Sequence, residues 1–214
     1  MAANIIERCV RISTSTWSDA LDDIGIDGVL RGVQQRSGQG RFAAFAVTAR
    51  GATGSLGTYR LEEFAVGQML GAVNGGEVLA VDMGGAEVST FGGMAALAAT
   101  SRKLAAVVID GGCRDIDEIR NTGLWLASRA VTPTSGKRRV KLYAIGEPAT
   151  VGGVMIRHGD MIIGDATGIV AVPKAALADV LTRAEALYAL DCKMETAIRD
   201  GRTLAEAVKL TGYV

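Results

Sequence analysis

The amino-acid sequence predicts a mixed α/β fold, and three observations support this class. Two apolar runs at residues 77–83 and 104–111 are strand-like, end near glycines and are each followed by a helical pattern. Glycine groups divide residues 151–173 into short strand-like pieces with no helix between them. Residues beyond Pro173 return to helical spacing. Because strands follow strands in the second half, the layout differs from a doubly wound parallel sheet.

The elements of the first half are predicted from apolar spacing and from residues that stop helices. The segment TSTWSDALDD indicates a short capped helix that ends at Gly25, and RFAAFAVTAR indicates a strand of small and apolar residues. Leu61, Phe64 and Met69 lie at helical spacing in the next segment. The predicted elements are helix 14–23, strand 41–50, helix 60–73, strand 77–83, helix 93–103, strand 104–111 and helix 114–123.

The second half is predicted to be rich in strands. Two strands are expected at residues 125–131 and 139–145. Three shorter strands are expected within residues 151–173, where Asp165 and Gly168 are typical of a hairpin turn. This part of the chain therefore adds sheet and no crossover helices.

The C-terminal part is predicted to be helical. Pro173 stands near the first position of a helix, where proline is tolerated, and the helical pattern continues to about Arg199. A short helix is expected at residues 202–208. We therefore expect one α/β domain at residues 1–175 and a helical extension at residues 176–214, which packs on the same domain or on a neighbouring subunit.

The composition is that of a globular protein with balanced charge. The 214 residues include 23 Lys or Arg and 23 Asp or Glu, so the formal net charge is zero. Nucleic-acid-binding proteins usually carry a basic surplus that neutralises phosphates, so no nucleic-acid partner is expected. No segment approaches the roughly 20 apolar residues of a membrane span, and the first residues lack the apolar core of a signal peptide. We expect no membrane partner and a cytoplasmic location.

The candidate site lies where two predicted strands end. Glycine-rich turns follow these strands and lead into helices, and the first turn of a helix offers free backbone amides that bind anions. Arg114 adds a planar guanidinium group suited to a carboxylate, and Asp115 adds an oxygen ligand suited to Mg²⁺ or Mn²⁺. These groups together fit a small anionic oxo acid held beside a metal ion.

A structural interpretation of the same residues is equally supported by composition and spacing. Asp115 is typical of a residue that caps the following helix, and Arg114 is typical of a surface ion pair. Glycines at strand ends are ordinary turn residues. Both interpretations stay open at this point.

Three segments resemble the RraA-like family, which contains 4-hydroxy-4-methyl-2-oxoglutarate aldolases. They are TWSDALDDIG, LAAVVIDGGCRDIDEI and VGGVMIRHGDMIIGDATGIVAVP, and they occur in the family's order over nearly the whole chain. The resemblance implies a layered αββα sandwich of the swivelling β/β/α type with C-terminal helices.

The resemblance also implies an activity. The family contains divalent-metal-dependent (class II) aldolases that cleave a 4-hydroxy-2-oxo acid to pyruvate and a second oxo compound, some of which decarboxylate oxaloacetate. It also contains non-catalytic regulators that bind a ribonuclease, which is the alternative function. Family members form trimers or hexamers, so a homo-oligomer with an active site at the subunit interface is expected.

Site residues follow from the resemblance position by position. Arg114 matches the substrate-binding arginine, Asp115 matches the ligand of Mg²⁺ or Mn²⁺, and Glu195 is the best match to a glutamate that a neighbouring subunit contributes. The backbone segment that binds the substrate carboxylate is matched by Gly92, Gly93, Met94 and Ala95.

One position departs from the family pattern. Relatives often have Gly-Asp where this chain has Gly92–Gly93, so a carboxylate that orients metal-bound water is missing. Asp82 and Glu87 are candidates to replace it. The loss puts the efficiency and the substrate of the aldolase reaction in question.

Other reactive residues are assigned structural roles. His158 lies in a predicted turn, and Cys113 lies beside Arg114 with no histidine near it in sequence, which favours packing over nucleophilic catalysis. The three cysteines are widely spaced without a CxxC motif, which disfavours a disulfide framework or a structural zinc site. The basic run at residues 137–139 indicates a solvated loop, with contact to an anionic substrate tail as the alternative.

Overall fold

The structure is a computed structural model that describes residues 2–212. Its seven helices are α1 (Ala2–Arg11), α2 (Thr14–Ile24), α3 (Val66–Gly71), α4 (Gly93–Ser101), α5 (Ile116–Thr122), α6 (Leu177–Arg199) and α7 (Leu204–Thr211). Its strands are β1 (Gln34–Ser37), β2 (Phe42–Thr53), β3 (Val78–Asp82), β4 (Ser89–Phe91), β5 (Ala106–Cys113), β6 (Leu126–Val131), β7 (Val140–Ile145), β8 (Ala149–Val151), β9 (Val154–Ile156), β10 (Met161–Gly164) and β11 (Ile169–Val172).

A parallel core of strands forms the centre of the main sheet. Its strand order is β1-β6-β5-β3-β2-β10-β11, and the pairs β2–β3, β3–β5 and β5–β6 are parallel. Successive residues of β5 face opposite sides: Val107 and Ile109 belong to one hydrophobic cluster, and Val108 belongs to another. Burial on both faces explains why these strands are continuous apolar runs.

The second β layer folds back over the first. The hairpin of β10 and β11 pairs with the beginning of β2, and β8 pairs with β9 in a separate two-stranded sheet. Val151, Ile156 and Ile162 from this layer pack with the inner face of the parallel strands. The space between the two β layers is therefore a continuous apolar core.

Helices cover both outer faces. On one side, Met69 of α3, Ala96 of α4 and Ile119 of α5 pack on the parallel strands. On the other side, buried residues of α2 and α6 pack on β10 and β11, with Trp17 fully buried among them. This order of layers confirms the predicted αββα sandwich.

Asp165 joins the β10–β11 hairpin to the start of α2. Its backbone amide donates to the carbonyl of Gly168, which confirms the predicted hairpin turn. Its carboxylate accepts hydrogen bonds from the backbone amide and the hydroxyl of Thr14, over 2.9 and 2.6 Å. The turn thus fixes the first residue of α2.

Most predicted elements agree with the structure, but the helix predicted at residues 60–73 is wrong. That segment forms a 3-10 turn, Leu61–Glu63, and the short helix α3. The carboxylate of Glu63 accepts from the backbone amide of Arg60 and pairs with Lys141 of β7, which fixes a separate turn. Residues 151–173 also hold parts of four strands, where three had been predicted.

The C-terminal helices continue from the α/β part without a break in packing. Leu177, Val180 and Leu181 at the start of α6 join the cluster around Trp17. The division of the chain at residue 175 stays a prediction. Within residues 2–212, no helix is both long and apolar enough to cross a membrane.

Candidate active site

The pairing of β4 with β5 builds the candidate site. These strands are parallel, with Ser89 beside Gly112 and Phe91 beside Cys113. Parallel neighbours end at the same edge of a sheet, so the residues that follow them meet there. The structure therefore brings Gly92 and Arg114 together, although the two lie far apart in sequence.

The first turn of α4 offers unpaired amides at this edge. Gly92 is the residue that precedes the helix, and the first amide to return a bond to its carbonyl is that of Ala96. The amides of Met94 and Ala95 precede that bond, so they have no acceptor within the helix. Both belong to the predicted carboxylate-binding segment, and the positive end of the helix dipole at this turn favours an anion.

Asp115 lies opposite this turn in an unusual backbone conformation. Its φ and ψ are 52° and 48°, the left-handed region, which Asp and Asn tolerate better than most residues. It precedes α5 but makes no side-chain capping bond to it, so the interpretation of Asp115 as a side-chain cap is wrong. Its carboxylate instead accepts a hydrogen bond from the Gly93 amide, over 3.1 Å.

Arg114 is held beside the same carboxylate. Its Nε lies 3.5 Å from Asp115 Oδ2, and roughly a third of the arginine side chain is exposed. The backbone amide of Arg114 donates to the carbonyl of Phe91, which anchors the turn to β4. The backbone of Arg114 is therefore fixed, and its guanidinium group remains partly exposed to solvent.

Gly92 is required by the closeness of the two turns. A Cβ atom at position 92 would lie 2.5 Å from Asp115 Oδ2 and 3.3 Å from Arg114 Cγ. The backbone of Gly92 is extended and would accept any residue, so the restriction is one of space. A side chain here would displace the candidate ligand.

Gly93 is restricted by a different residue, Glu118. A Cβ at position 93 would lie 2.8 Å from the Glu118 Cβ, so α5 occupies the space that a residue-93 side chain would need. Glu118 follows Asp115 by three positions, a spacing that places two side chains on neighbouring parts of a helix surface. Sequence reasoning missed Glu118, although this spacing was a signal.

Asp82 and Glu87 do not replace the carboxylate that is missing at position 93. Asp82 accepts hydrogen bonds from the amides of Gly84 and Thr150 and lies near Arg50. Glu87 is exposed and does not line the cavity beside Asp115. Glu118 is the acid that the structure brings next to position 93.

The donor set fits a hard divalent cation. Among the described residues, no group of three His, Cys, Asp or Glu side chains is arranged as a complete metal cage. Mg²⁺ and Mn²⁺ often use one or two protein carboxylates and complete their shell with water and substrate. Asp115 supplies one such oxygen ligand and leaves the rest of the shell to water and substrate.

A cavity of about 380 Å³ extends from these residues. Gly92, Met94, Arg114 and Asp115 line one part of it. The hydroxyl of Thr90, also in its wall, is buried and has no hydrogen-bond partner within the described part of the chain. The cavity is large enough for a small organic acid.

Comparison with known proteins assigns the fold to a family. Residues 14–171 match the model for RraA-like proteins, described as Aldolase/RraA. The chain belongs to the RraA-like family. A 4-hydroxy-4-methyl-2-oxoglutarate aldolase from Thermus thermophilus is 32% identical over 136 residues, which cover 62% of this chain and 82% of the relative.

Solved structures share the fold of this chain. A protein from Pseudomonas syringae pv. tomato has a TM-score of 0.85 and 30% identity, over 97% of this chain and 98% of that one. RraAS2 from Streptomyces coelicolor, an unusual member of the RNase ES inhibitor RraA family, has a TM-score of 0.80 and 22% identity, over 92% and 98% of the two chains, which shows a shared fold.

One relative is much longer than this RraA-like chain. Protein DlpA from Legionella pneumophila is 26% identical over 207 residues, and the chain spans 33% of that protein's length. A protein from Methanocaldococcus jannaschii is 29% identical over 124 residues, which cover 58% of this chain and 59% of that one.

The remaining candidate residues do not line the cavity of the RraA-like site. Glu195 is exposed on α6 and pairs with Arg199 of the same helix over 2.6 Å, so the single chain does not bring it to Asp115. His158 is exposed in the turn before β10. Cys113 is fully buried, and burial raises the pKa of its thiol. The contribution of Glu195 from a neighbouring subunit stays a prediction.

Proposed function

We propose that this protein is a divalent-metal-dependent aldolase that cleaves a 4-hydroxy-2-oxo acid to pyruvate and a second oxo compound, with oxaloacetate decarboxylation as a second activity. The observation that carries the proposal is the position of the Asp115 carboxylate. A left-handed backbone and the Gly93 amide hold it beside Arg114 and the open first turn of α4.

Substrate binding follows from the charges of the site. The amides of Met94 and Ala95 and the guanidinium group of Arg114 would receive the carboxylate of the oxo acid. Asp115 would hold Mg²⁺ or Mn²⁺, and water and substrate would complete the coordination of the metal. A bound metal ion would supply the Lewis acid that stabilises negative charge developing on the 2-oxo oxygen.

The bond changes balance without any further reactant. The C4 hydroxyl loses its proton to water or to a group of the substrate, and the C4–O bond becomes a carbonyl as the C3–C4 bond breaks. The electron pair of that bond passes to the pyruvate fragment as its enolate, which then takes a proton at C3. Arg114 would stabilise the enolate by its positive charge. Oxaloacetate would lose CO₂ to give the same enolate.

We also propose that the complete site forms in a homotrimer or homohexamer. The Glu195 carboxylate is exposed and engaged only by Arg199 among the described residues, so it is available to a neighbouring copy. A shared site makes activity depend on assembly. An active monomer in gel filtration would contradict this part of the proposal.

The alternative is a non-catalytic regulator that binds a ribonuclease. Docking on another protein would not require the close contact between Gly92 and the Asp115 carboxylate. The aldolase proposal explains this restriction, because a fixed carboxylate is what a metal site needs.

Pyruvate release tests the proposal directly. Purified protein would be given oxaloacetate or 4-hydroxy-4-methyl-2-oxoglutarate with Mg²⁺ or Mn²⁺, and pyruvate would be followed with lactate dehydrogenase and NADH. We expect turnover that EDTA abolishes and that added metal restores. No pyruvate from oxaloacetate or from any 4-hydroxy-2-oxo acid, with either metal, would overturn the lyase and favour the regulator.

A further inference from the structure

Beyond Arg114 and Asp115, part of the cavity lining is formed by apolar side chains, which we call the apolar wall. Val66 and Leu70 of α3 are one helical turn apart and line the cavity together, and Ala95 and Ala98 of α4 do the same on another side. The ring of Phe64, just before α3, completes this wall. None of these side chains can donate or accept a hydrogen bond.

Two positively charged side chains line the cavity, Arg114 and Lys137, and Gly136 beside Lys137 packs against the Phe64 ring. Arg114 pairs with Asp115 where the carboxylate of the oxo acid is proposed to bind. Of the basic run at residues 137–139, Lys137 lines the cavity, and it is exposed to solvent. Arg139 donates to the carbonyl of Ser135 and is not part of the lining.

We propose that the part of the substrate beyond C4 is an uncharged alkyl chain, not a second carboxylate arm. This inference rests on the proposed function and narrows its substrate class to 4-hydroxy-2-oxo monoacids with an aliphatic tail. An alkyl tail gains by leaving water for this wall, whereas a carboxylate placed there would lose its hydration without a buried partner. The small side chains of Ala95 and Ala98 leave the room that the tail occupies.

The test compares substrates that share the reacting atoms and differ in the tail. We would measure kcat/KM for 4-hydroxy-2-oxohexanoate and for its diacid analogue 4-hydroxy-2-oxoadipate, with oxaloacetate as a reference for pyruvate release. Filling one methylene-sized space in an apolar pocket changes kcat/KM by about tenfold or more. We therefore expect the alkyl substrate to exceed the diacid at least tenfold.

Two matched variants locate the preference. Ala98→Leu fills the proposed tail space, and we expect the ratio of kcat/KM for the hexanoate to that for oxaloacetate to fall about tenfold. Ala72→Leu makes the same change at an exposed position outside the cavity, and we expect that ratio to stay as in the wild type. Lys137→Ala should also leave the hexanoate preference in place.

The outcomes separate this inference from the proposed function. A preference for the diacid that Lys137→Ala abolishes, or equal use of both substrates, would overturn the alkyl tail while leaving the lyase intact. Pyruvate from none of the three compounds would overturn the lyase and this inference with it.

Discussion

The backbone amide of Gly93 donates a hydrogen bond to the carboxylate of Asp115 over 3.1 Å. This contact ties the first turn of α4 to the turn before α5. It uses one carboxylate oxygen, Oδ2, and this same oxygen lies nearest to Arg114 Nε. The orientation of the carboxylate is therefore set by one backbone amide and one guanidinium nitrogen, which follow the adjacent strands β4 and β5.

Replacement of Asp115 by Asn should remove activity without unfolding the protein. Asn tolerates the left-handed backbone, and its side-chain oxygen can still accept from Gly93, so only the charge is lost. We expect kcat/KM for pyruvate release to fall by about 10²–10³, the cost typical of losing one preorganised charge-stabilising group. Steady-state kinetics and a thermal melt measure the two effects. Asp115→Ala should add about 1 kcal/mol of backbone strain. An active Asp115→Asn protein would contradict the proposed role.

Gly92→Ala should weaken metal binding by displacing the same carboxylate. The new Cβ would lie 2.5 Å from Asp115 Oδ2, so the side chain must rotate and lose the bond from Gly93. We expect the Kd for Mn²⁺, measured by calorimetry, to rise at least about tenfold, equivalent to about 1.4 kcal/mol. Gly71→Ala is the matched control, because a methyl group at this helical position would meet no atom within 4 Å. Equal affinities in the two variants would refute the steric argument.

Gly93 and Glu118 should be energetically coupled. Gly93→Ala places a Cβ 2.8 Å from the Glu118 Cβ, and we expect it to reduce the free energy of unfolding by about 1–3 kcal/mol. Glu118→Gly removes the obstructing atom, so the second substitution should recover part of that loss. Urea denaturation of the two single variants and the double variant gives the coupling energy. Strictly additive losses would show that α5 does not limit position 93.

Asp165 should make stability depend on acid pH. Burial raises the pKa of its carboxyl, but the hydrogen bonds from Thr14, Thr167 and Gly168 outweigh burial and place the pKa below the ordinary value of 3.8. Its contribution is then full above about pH 4 and is lost as the pH falls through the lowered pKa. Asp165→Asn should destabilise the protein by about 2 kcal/mol at pH 7 and by less at pH 3.

Urea midpoints at pH 7 and pH 3 measure this difference. Asp27→Asn is the control, because the Asp27–Arg31 pair is exposed on both sides and surface pairs contribute little to stability. If the difference in urea midpoint between wild type and Asp165→Asn is the same at both pH values, the lowered pKa of Asp165 is contradicted.

The three cysteines should differ sharply in reactivity. Cys192 is exposed, whereas Cys9 and Cys113 are buried, and burial raises the pKa of the Cys9 thiol to about 11. Titration of the native protein with a thiol reagent at pH 8 should label one cysteine, and denatured protein should give three. Cys192→Ser should leave no rapid labelling. Rapid labelling of that variant would show that helix α1 or the C-terminal end of β5 opens readily.

Elements with strong local patterns could be predicted from the sequence. Strands β3 and β5 are apolar runs bounded by glycine, and α2 has both a serine cap and a glycine stop, so each was predicted within a few residues. Besides one strand within residues 151–173, three elements were missed. Strand β1 is the polar edge sequence QQRS, and β4 has three residues whose pairing depends on β5. Helix α1 has apolar residues at helical spacing, including Ile5 and Cys9, and this pattern is enough to predict it.

The candidate site was predicted in part. Arg114 and Asp115 follow the predicted strand at residues 104–111, so their place at the end of that strand could be inferred. Their meeting with the first turn of α4 depends on the pairing of β4 with β5, which the sequence pattern does not reveal. The role of Glu118 beside Gly93 could not be inferred either, because it depends on the distance between α4 and α5. The position of Glu195 in an assembled site depends on contacts between copies of the chain, which a pattern within one chain does not contain.

Strand β2 belongs to both halves of the sandwich, since Phe42–Phe45 pair with β10 and residues 46–50 pair with β3. Neither half can open fully without breaking a ladder on this one strand. The two β layers should therefore lose their structure in a single cooperative step, and amide hydrogens along β2 should be among the last to exchange with solvent.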